Sequence, residues 1–341
     1  MKFEEALTYD DVLLVPQYSD IKSRKEVDIG NDLDDKTRLE LPIISSPMDT
    51  VTTVEMASSL SNLGGMGVIH RYNTPAEQVS IVKSVRATTN TRTVAAAVGV
   101  TGDYLQRAVN LFDAGANIIC IDVAHGHHSL MENALKSIRD ELGTSIHIMA
   151  GNVATQEGFE ALADWGADSV RCNVGGGSIC STRIQTGHGM PGLQTIFDCS
   201  RSDRDARIIA DGGIRSPGDV VKALAAGADF VMLGSMLAGT DQSPGFVIED
   251  ASGLQYKMYR GMASKEAQVN WRGKYSSNEG ISTRIPYKGS VEDVLRDIKN
   301  GITSGFSYSG ARNIEELWSK ATFVRQTNAG LGESKTHILT R

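Results

Sequence analysis

The stretch Asn173-Val-Gly-Gly-Gly-Ser-Ile-Cys-Ser-Thr-Arg183 holds the residues best suited to covalent chemistry. Gly175, Gly176 and Gly177 let backbone groups approach a ligand that side chains would otherwise block. Cys180 follows them, among Ser178, Ser181, Thr182 and Arg183. Backbone donors, hydroxyls and a guanidinium are the surroundings that favour a nucleophilic thiolate. The other cysteines read differently. Cys120 and Cys172 lie within apolar runs, where a thiol is ordinarily an inert small hydrophobe, and Cys199 follows a helical stretch with nothing to recommend it.

Two further glycine-rich joints, Asp211-Gly212-Gly213 and Leu233-Gly234-Ser235, each follow or end an apolar run. With Ser178, their backbone N–H groups could cradle one phosphate dianion. Asp211 closes the run Ile208-Ile209-Ala210, where a carboxylate can cap a helix, pair with a cation, or accept both hydroxyls of a ribose. Asp122 ends a comparable run before Val123-Ala124-His125. The cluster His125-Gly-His127-His128 lacks an acidic or cysteine ligand at metal spacing, so a zinc centre is not expected there. Neither a P-loop nor a strand–GxGxxG–helix fingerprint occurs, so a nicotinamide cofactor would bind outside a Rossmann fold.

The elements that must position these groups are legible in the hydrophobic pattern. Apolar runs at 42–46, 66–70, 94–98, 118–122, 146–150, 169–173, 207–211 and 230–234 alternate with amphipathic stretches of helical length, such as 105–112, 130–142 and 220–225. Most runs are apolar on successive residues, as in Ile118-Ile119-Cys120-Ile121, the mark of parallel strands covered on both faces. Three helix-to-strand joints share one pattern: Asp113-Ala-Gly-Ala-Asn117, Asp164-Trp-Gly-Ala-Asp168 and Ala225-Ala-Gly-Ala-Asp229. Glycine suits the left-handed position just past a helix end. Eight strands with a recurring joint predict an α/β protein, a single (β/α)8 TIM barrel over residues 1–341; an open doubly wound sheet is the alternative. Barrels of this class carry their active sites on the loops after the strands, and phosphate commonly binds after the seventh and eighth. The cysteine loop and both glycine joints fall at such places.

Residues 1–40 precede the repeat and are polar and turn-rich. The glycine-punctuated segment 248–289 leaves the barrel mouth after strand eight, so a lid or flap is expected there. A tail is expected over 326–341, mobile in its last residues from 330. At 341 residues, the chain exceeds the roughly 250 of a plain barrel by enough for these additions. Its 34 Lys and Arg against 41 Asp and Glu, a net charge of -7, argue against a nucleic acid polymer as partner. No apolar run approaches the ~20 residues of a membrane span, and Met1-Lys-Phe-Glu-Glu5 is too acidic for a signal peptide. Four cysteines without a disulfide pattern fit a cytoplasmic setting.

Six motifs, in order, carry a resemblance: Ser45-Ser-Pro-Met-Asp-Thr-Val51, Ala150-Gly-Asn-Val-Ala-Thr155, Gly175-Gly-Gly-Ser-Ile-Cys-Ser-Thr-Arg183, Ala210-Asp-Gly-Gly-Ile214, Met232-Leu-Gly-Ser235 and Tyr259-Arg-Gly-Met262. Together they resemble the IMP dehydrogenase/GMP reductase family from about Leu7 to Arg325. The resemblance implies a purine-nucleotide barrel in which Cys180 attacks C2 of the base and forms a covalent thioimidate. It implies that Ser178, Gly212, Gly213, Gly234, Ser235 and Tyr259 hold the 5′-phosphate and Asp211 the ribose. Ser46, Met48 and Asn152 would line the pocket, with backbone groups of Gly261 and Met262 near the base. Asp122, Val123 and Ala124 would face the nicotinamide cofactor, and carbonyls of Gly175, Gly177 and Cys180 would hold a monovalent cation such as potassium. A homotetramer is implied as well.

The branch is read from finer features. His70 reaches Val94 through one helix and a short linker, leaving no room for the paired regulatory domains that many dehydrogenases insert there. Dehydrogenases of the family hydrolyse their adduct with an adjacent Arg-Tyr pair on the flap; here Arg272-Gly-Lys-Tyr275 separates the two. Tyr275-Ser-Ser-Asn-Glu279-Gly280 and Asp122-Val-Ala-His-Gly126 are similar to the reductase form, with Glu279 and Thr182 in the places of the pair that protonates departing ammonia. Pro47 and the segment Ala329-Gly-Leu-Gly-Glu-Ser334 lean towards the dehydrogenase, and Gly176 and Ser181 depart from the usual cysteine loop of either branch. The resemblance thus implies an NADPH-dependent GMP reductase, with an NAD-dependent IMP dehydrogenase as the alternative. A non-catalytic nucleotide-binding barrel and a flavin-dependent phosphate-binding barrel are the readings from outside this chemistry.

Overall fold

The computed structural model describes residues 4–89 and 93–336. Eight parallel strands occur where the apolar runs place them: β1 (Ile43–Ser45), β2 (Met66–Ile69), β3 (Ala95–Val98), β4 (Ile118–Asp122), β5 (His147–Val153), β6 (Ser169–Cys172), β7 (Arg207–Asp211) and β8 (Phe230–Leu233). The last pairs with the first, Val231 opposite Ile43 and Leu233 opposite Ser45, so the sheet closes into a barrel. That closure excludes the open doubly wound alternative. Around it run α1 (Val54–Asn62), α2 (Pro75–Thr88), α3 (Tyr104–Asp113), α4 (Ser129–Leu142), α5 (Gln156–Asp164), a short α6 (Thr182–Thr186), α7 (Gly192–Cys199) and α8 (Pro217–Ala225).

The recurring joints have one physical basis. Gly115, Gly166 and Gly227 take φ of 106°, 108° and 111°, the left-handed region that other residues avoid. The last residue of each joint then turns its side chain back. Asn117, Asp168 and Asp229 accept the backbone N–H of Val94, Ile148 and Ile208 at 2.7, 2.6 and 2.8 Å, fixing where the neighbouring strand begins.

Successive apolar residues serve two cores. Ile118 and Cys120 join Ile44, Val68, Met149, Ile209 and Phe230 inside the barrel, whereas Ile119 and Ile121 pack outward beneath the helices. Burial in that interior pushes the Cys120 thiol up to about 12, the behaviour of a packing residue. Cys172 and Cys199 are buried too.

Residues before β1 do more than precede the repeat. A hairpin pairing Asn31–Asp32 with Arg38–Leu39 sends Leu33 and Leu39 into the interior core. Asp34 locks it there through His147 Nδ1 at 2.8 Å, and His147 Nε2 meets Ser169 Oγ at 2.8 Å. A strand at Val12–Leu14 pairs with Phe323–Arg325. Part of the expected tail is helical, Asn328–Glu333; residues 337–341 of it lie outside the described residues.

Segment 248–289 is a folded unit. Strands β9 (Ile248–Glu249), β10 (Gln255–Arg260) and β11 (Ser282–Pro286) form an antiparallel sheet, with α9 (Lys265–Arg272) between the last two. Helices α10 (Val291–Tyr308) and α11 (Ile314–Lys320) follow. Among the described residues, no helix is long and apolar enough to cross a membrane.

Candidate active site

The cysteine loop leaves β6 at the barrel mouth and ends in α6. The Cys180 thiol donates to Thr182 Oγ1 at 3.2 Å, and the Thr182 hydroxyl donates to Glu279 Oε2 at 2.8 Å. A nucleophile is thus wired through one hydroxyl to one carboxylate, a route by which a proton can leave sulfur and return. Glu279 comes from the far end of the flap, 97 residues away in the chain from Thr182. A zipper of backbone bonds delivers it: Ser181 N–H to Glu279 O at 2.9 Å, Ile281 N–H to Ile179 O at 3.0 Å, and Gly261 N–H to Ile281 O at 3.1 Å. Ser181 adds its hydroxyl, donated to Asn278 O at 3.1 Å. The unusual serine in the loop therefore has a task, which is to hold the flap.

The glycine joints meet opposite this relay. Gly212 and Gly213 follow β7 with φ of 87° and 78°, and a Cβ on Gly212 would stand 3.2 Å from the Gly177 nitrogen. A Cβ on Gly234 would come within 2.9 Å of the Tyr259 hydroxyl and 3.5 Å of Ser46 Oγ. These glycines let three loops close on one small volume. Burial raises the Tyr259 pKa to about 12. Asp49 pairs with Arg260 at 2.6 Å, tying the loop after β1 to the end of β10.

Between the two lies a charged cluster that the pattern reading missed. Arg171, on β6, is buried and joins Asp122 Oδ1 at 2.6 Å to Asp211 Oδ2 at 2.8 Å. Burial alone would lower its pKa, but the two carboxylates outweigh burial and hold it well above the usual value. Asn152 Nδ2 donates to the same Asp211 oxygen at 2.7 Å. All the hydrogen bonds the Asp211 carboxylate accepts among the described residues fall on Oδ2, which leaves Oδ1 for a ligand. Asp211 is a salt-bridge partner and a wall of the site at once; the alternatives posed by the sequence do not exclude each other. Removing it with Asp211→Ala is expected to lower the melting temperature, because Arg171 loses one of two counter-charges. Nucleotide affinity should fall as well, since charge-assisted hydrogen bonds are worth about 1.5–3 kcal/mol each. Titration of the folded variant checks this: unchanged nucleotide affinity beside a lowered melting temperature would leave Asp211 a purely structural role.

A signal for Arg171 was present, since it is the one charged residue within the run 169–173. Asn173 is a second omission. It is 3% exposed, takes φ of 146°, donates to Gly212 O at 3.2 Å and keeps Oδ1 unpartnered. A Cβ on Gly176 would lie 2.1 Å from its Nδ2, so the Asn173 carboxamide fills the space a larger loop residue would need. That accounts for glycine at 176.

Every residue singled out from the sequence for catalysis, nucleotide, cofactor or cation lines one cavity of about 300 Å³ at the barrel mouth. A second cleft of about 460 Å³ adjoins it, sharing Arg71, Tyr72, Val123 and Ala263. The Tyr72 and Trp271 rings, stacked at 4.1 Å, clasp α9 of the flap to the loop after β2 beside that cleft. The histidine cluster takes another path, with His128 Nδ1 accepting the Leu130 N–H at 3.0 Å to cap α4.

A family model described as "IMP dehydrogenase / GMP reductase domain" matches residues 6–337. Inosine-5′-monophosphate dehydrogenase of Cryptosporidium parvum is 38% identical, covering 98% of this chain and 95% of its own. GMP reductase of Leishmania major is 30% identical, covering 99% and 98%. A crystal structure of a cysteine-to-alanine variant of GMP reductase from Trypanosoma brucei, in complex with guanosine 5′-monophosphate, superposes with a TM-score of 0.93 at 31% identity, covering 98% of each chain. Overall length does not sort the branches. The alignment with the Leishmania reductase runs over 481 residues and that with the Cryptosporidium dehydrogenase over 386, against 341 here.

Proposed function

Because this chain belongs to the IMP dehydrogenase/GMP reductase family of oxidoreductases, we propose that it is a GMP reductase, turning GMP and NADPH into IMP, ammonia and NADP⁺. The observation that carries the reading is the unbroken relay from Cys180 through Thr182 to Glu279, with Glu279 held by the flap.

In this reading the nucleotide phosphate lies among Ser178, Gly212, Gly213, Gly234, Ser235 and Tyr259, and Asp211 Oδ1 takes the ribose hydroxyls. Ser46, Met48 and Asn152 wall the pocket, while Gly261 and Met262 present backbone to the base. The Cys180 sulfur adds to C2, its proton passing through Thr182 to Glu279, and the ring takes up the electron pair. The relay then runs backwards: the proton reaches the 2-amino group, the C2–N bond breaks, and ammonia departs, leaving C2 joined to sulfur. A nicotinamide cofactor, when bound, supplies hydride to that carbon. Departure of Cys180 as thiolate then releases IMP. Two protons are consumed overall, one leaving with ammonia as ammonium.

The cofactor's place would be the cleft adjoining the cavity. Arg71 and Arg272 line it and suit phosphate groups, and Asp122, Val123 and Ala124 line the adjoining cavity that contains Cys180. A monovalent cation such as potassium would rest on the carbonyls of Gly175, Gly177 and Cys180 and stiffen the loop. Gly177 O already accepts the Cys180 N–H at 3.1 Å and keeps a lone pair for the ion. A homotetramer belongs to the same proposal, and the exposed Phe246, Ile248 and Leu254 at the flap's base offer apolar surface to bury.

The dehydrogenase reading keeps the same cysteine and has support of its own: most of the relatives compared carry that name, at up to 38% identity. One assay discriminates. GMP with NADPH should lose nicotinamide absorbance, and IMP with NAD should stay flat. The reverse pattern would make the chain a dehydrogenase, and silence in both would leave a nucleotide-binding barrel.

A further inference from the structure

The groups proposed to hold the phosphate are all neutral. The nearby arginines are already matched, Arg171 by Asp122 and Asp211, and Arg260 by Asp49. One cation remains. Lys288, just beyond β11, donates from Nζ to the carbonyls of Ser235, Met236 and Ala238 at 2.5, 3.2 and 2.8 Å. Its contacts among the described residues are carbonyls, with no carboxylate within ion-pair distance, and burial draws its pKa down to about 8. An ammonium withdrawn from water without a counter-ion is unfavourable until an anion arrives.

The turn it grips is the one that follows β8. Gly234 O accepts the N–H groups of Leu237 and Ala238, whereas no hydrogen bond among the described residues occupies those of Ser235 and Met236. In a trans peptide the carbonyl and the next N–H point opposite ways. Drawing Ser235 O towards Lys288 therefore turns the Met236 N–H away from the ammonium and polarises it as a donor. Ser235 itself lines the cavity.

We propose that Lys288 is the counter-charge of the substrate phosphate, a positioning residue that acts from behind the turn through the carbonyls of Ser235 and Met236. The proposal rests on the nucleotide reading above and adds a determinant that selects a 5′-monophosphate over the free nucleoside. It also couples the end of the flap to occupancy of the phosphate site, because Lys288 lies two residues beyond the flap strand β11.

Calorimetric titration of the full chain with GMP and with guanosine tests it. Lys288→Met should weaken GMP by roughly tenfold or more and guanosine by less than about twofold, whereas Lys288→Arg, which keeps the charge, should stay within about threefold for GMP. Lys288→Gln, uncharged but still able to donate to the carbonyls, should behave like Lys288→Met, and it serves if the methionine variant does not fold. Equal losses for both ligands would reduce Lys288 to a scaffold residue and overturn the proposal, as would undiminished GMP affinity in either uncharged variant. A wild-type chain that does not prefer GMP to guanosine would instead overturn the nucleotide reading itself.

Discussion

Cys180→Ala is expected to abolish turnover, by at least about 10³-fold, while GMP binding stays within a few-fold of wild type. The groups proposed for phosphate and ribose sit at the end of β7, on the loops after β7 and β8 and on β10, with Ser178 alone on the cysteine loop, and none of them hydrogen-bonds the sulfur. Among the described residues, the thiol's one hydrogen bond is the 3.2 Å contact to Thr182. The flap would remain docked, since its zipper to residues 179–181 is made of backbone bonds and the Ser181 hydroxyl. Melting temperature should therefore barely move. Cys120→Ala is the matching control: it removes sulfur from the barrel interior and should cost about 1 kcal/mol of stability with turnover nearly intact. Steady-state rates with GMP and NADPH, beside titration of each variant with GMP, read both. Turnover near wild type in Cys180→Ala would end the covalent mechanism.

What makes that prediction possible from the chain alone is that barrel and nucleophile leave local marks. Strands covered on both faces must be apolar at successive positions, and helices that turn tightly into strands need a left-handed glycine, so both repeat visibly. The cysteine loop and glycine joints are recognised because each follows such a strand. The groups that stayed hidden act at a distance in sequence. Leu33 and Leu39 sit among Asn31, Asp32, Asp34, Asp35, Lys36 and Arg38, and only the closed barrel offers these two leucines an interior to plug. Arg171 breaks an apolar strand, but its meaning depends on carboxylates that β4 and β7 bring to either side. Lys288 looks like an ordinary loop lysine until the turn after β8 wraps its carbonyls around it. Glu279 was reached through family resemblance alone, since nothing in its local sequence ties it to a cysteine so far away. Where a residue's role is set by a partner in another βα unit, the fold must be known first.

Glu279 carries the sharpest distinction between the branches. Its carboxylate accepts the Thr182 hydroxyl, while its backbone independently accepts from Ser181 and donates to Ala263 at 2.9 and 3.2 Å. Glu279→Gln should therefore leave the flap in place and Thr182 with a hydrogen-bond acceptor, removing only the capacity to shuttle a proton. Ammonia is a poor leaving group without that proton, so deamination should fall by about 10²-fold or more. Hydride transfer between cofactor and nucleotide adduct takes no proton from this residue and should suffer less. In a dehydrogenase the same change would strike hydrolysis instead, and Cys180–nucleotide adduct would build up behind a burst of NADH. Intact-protein mass spectrometry of Glu279→Gln, quenched after incubation with IMP and NAD, separates the cases. Mostly unmodified protein with no burst fits the reductase; a full burst with trapped adduct and slow attack by water would reassign the chain to the dehydrogenase branch.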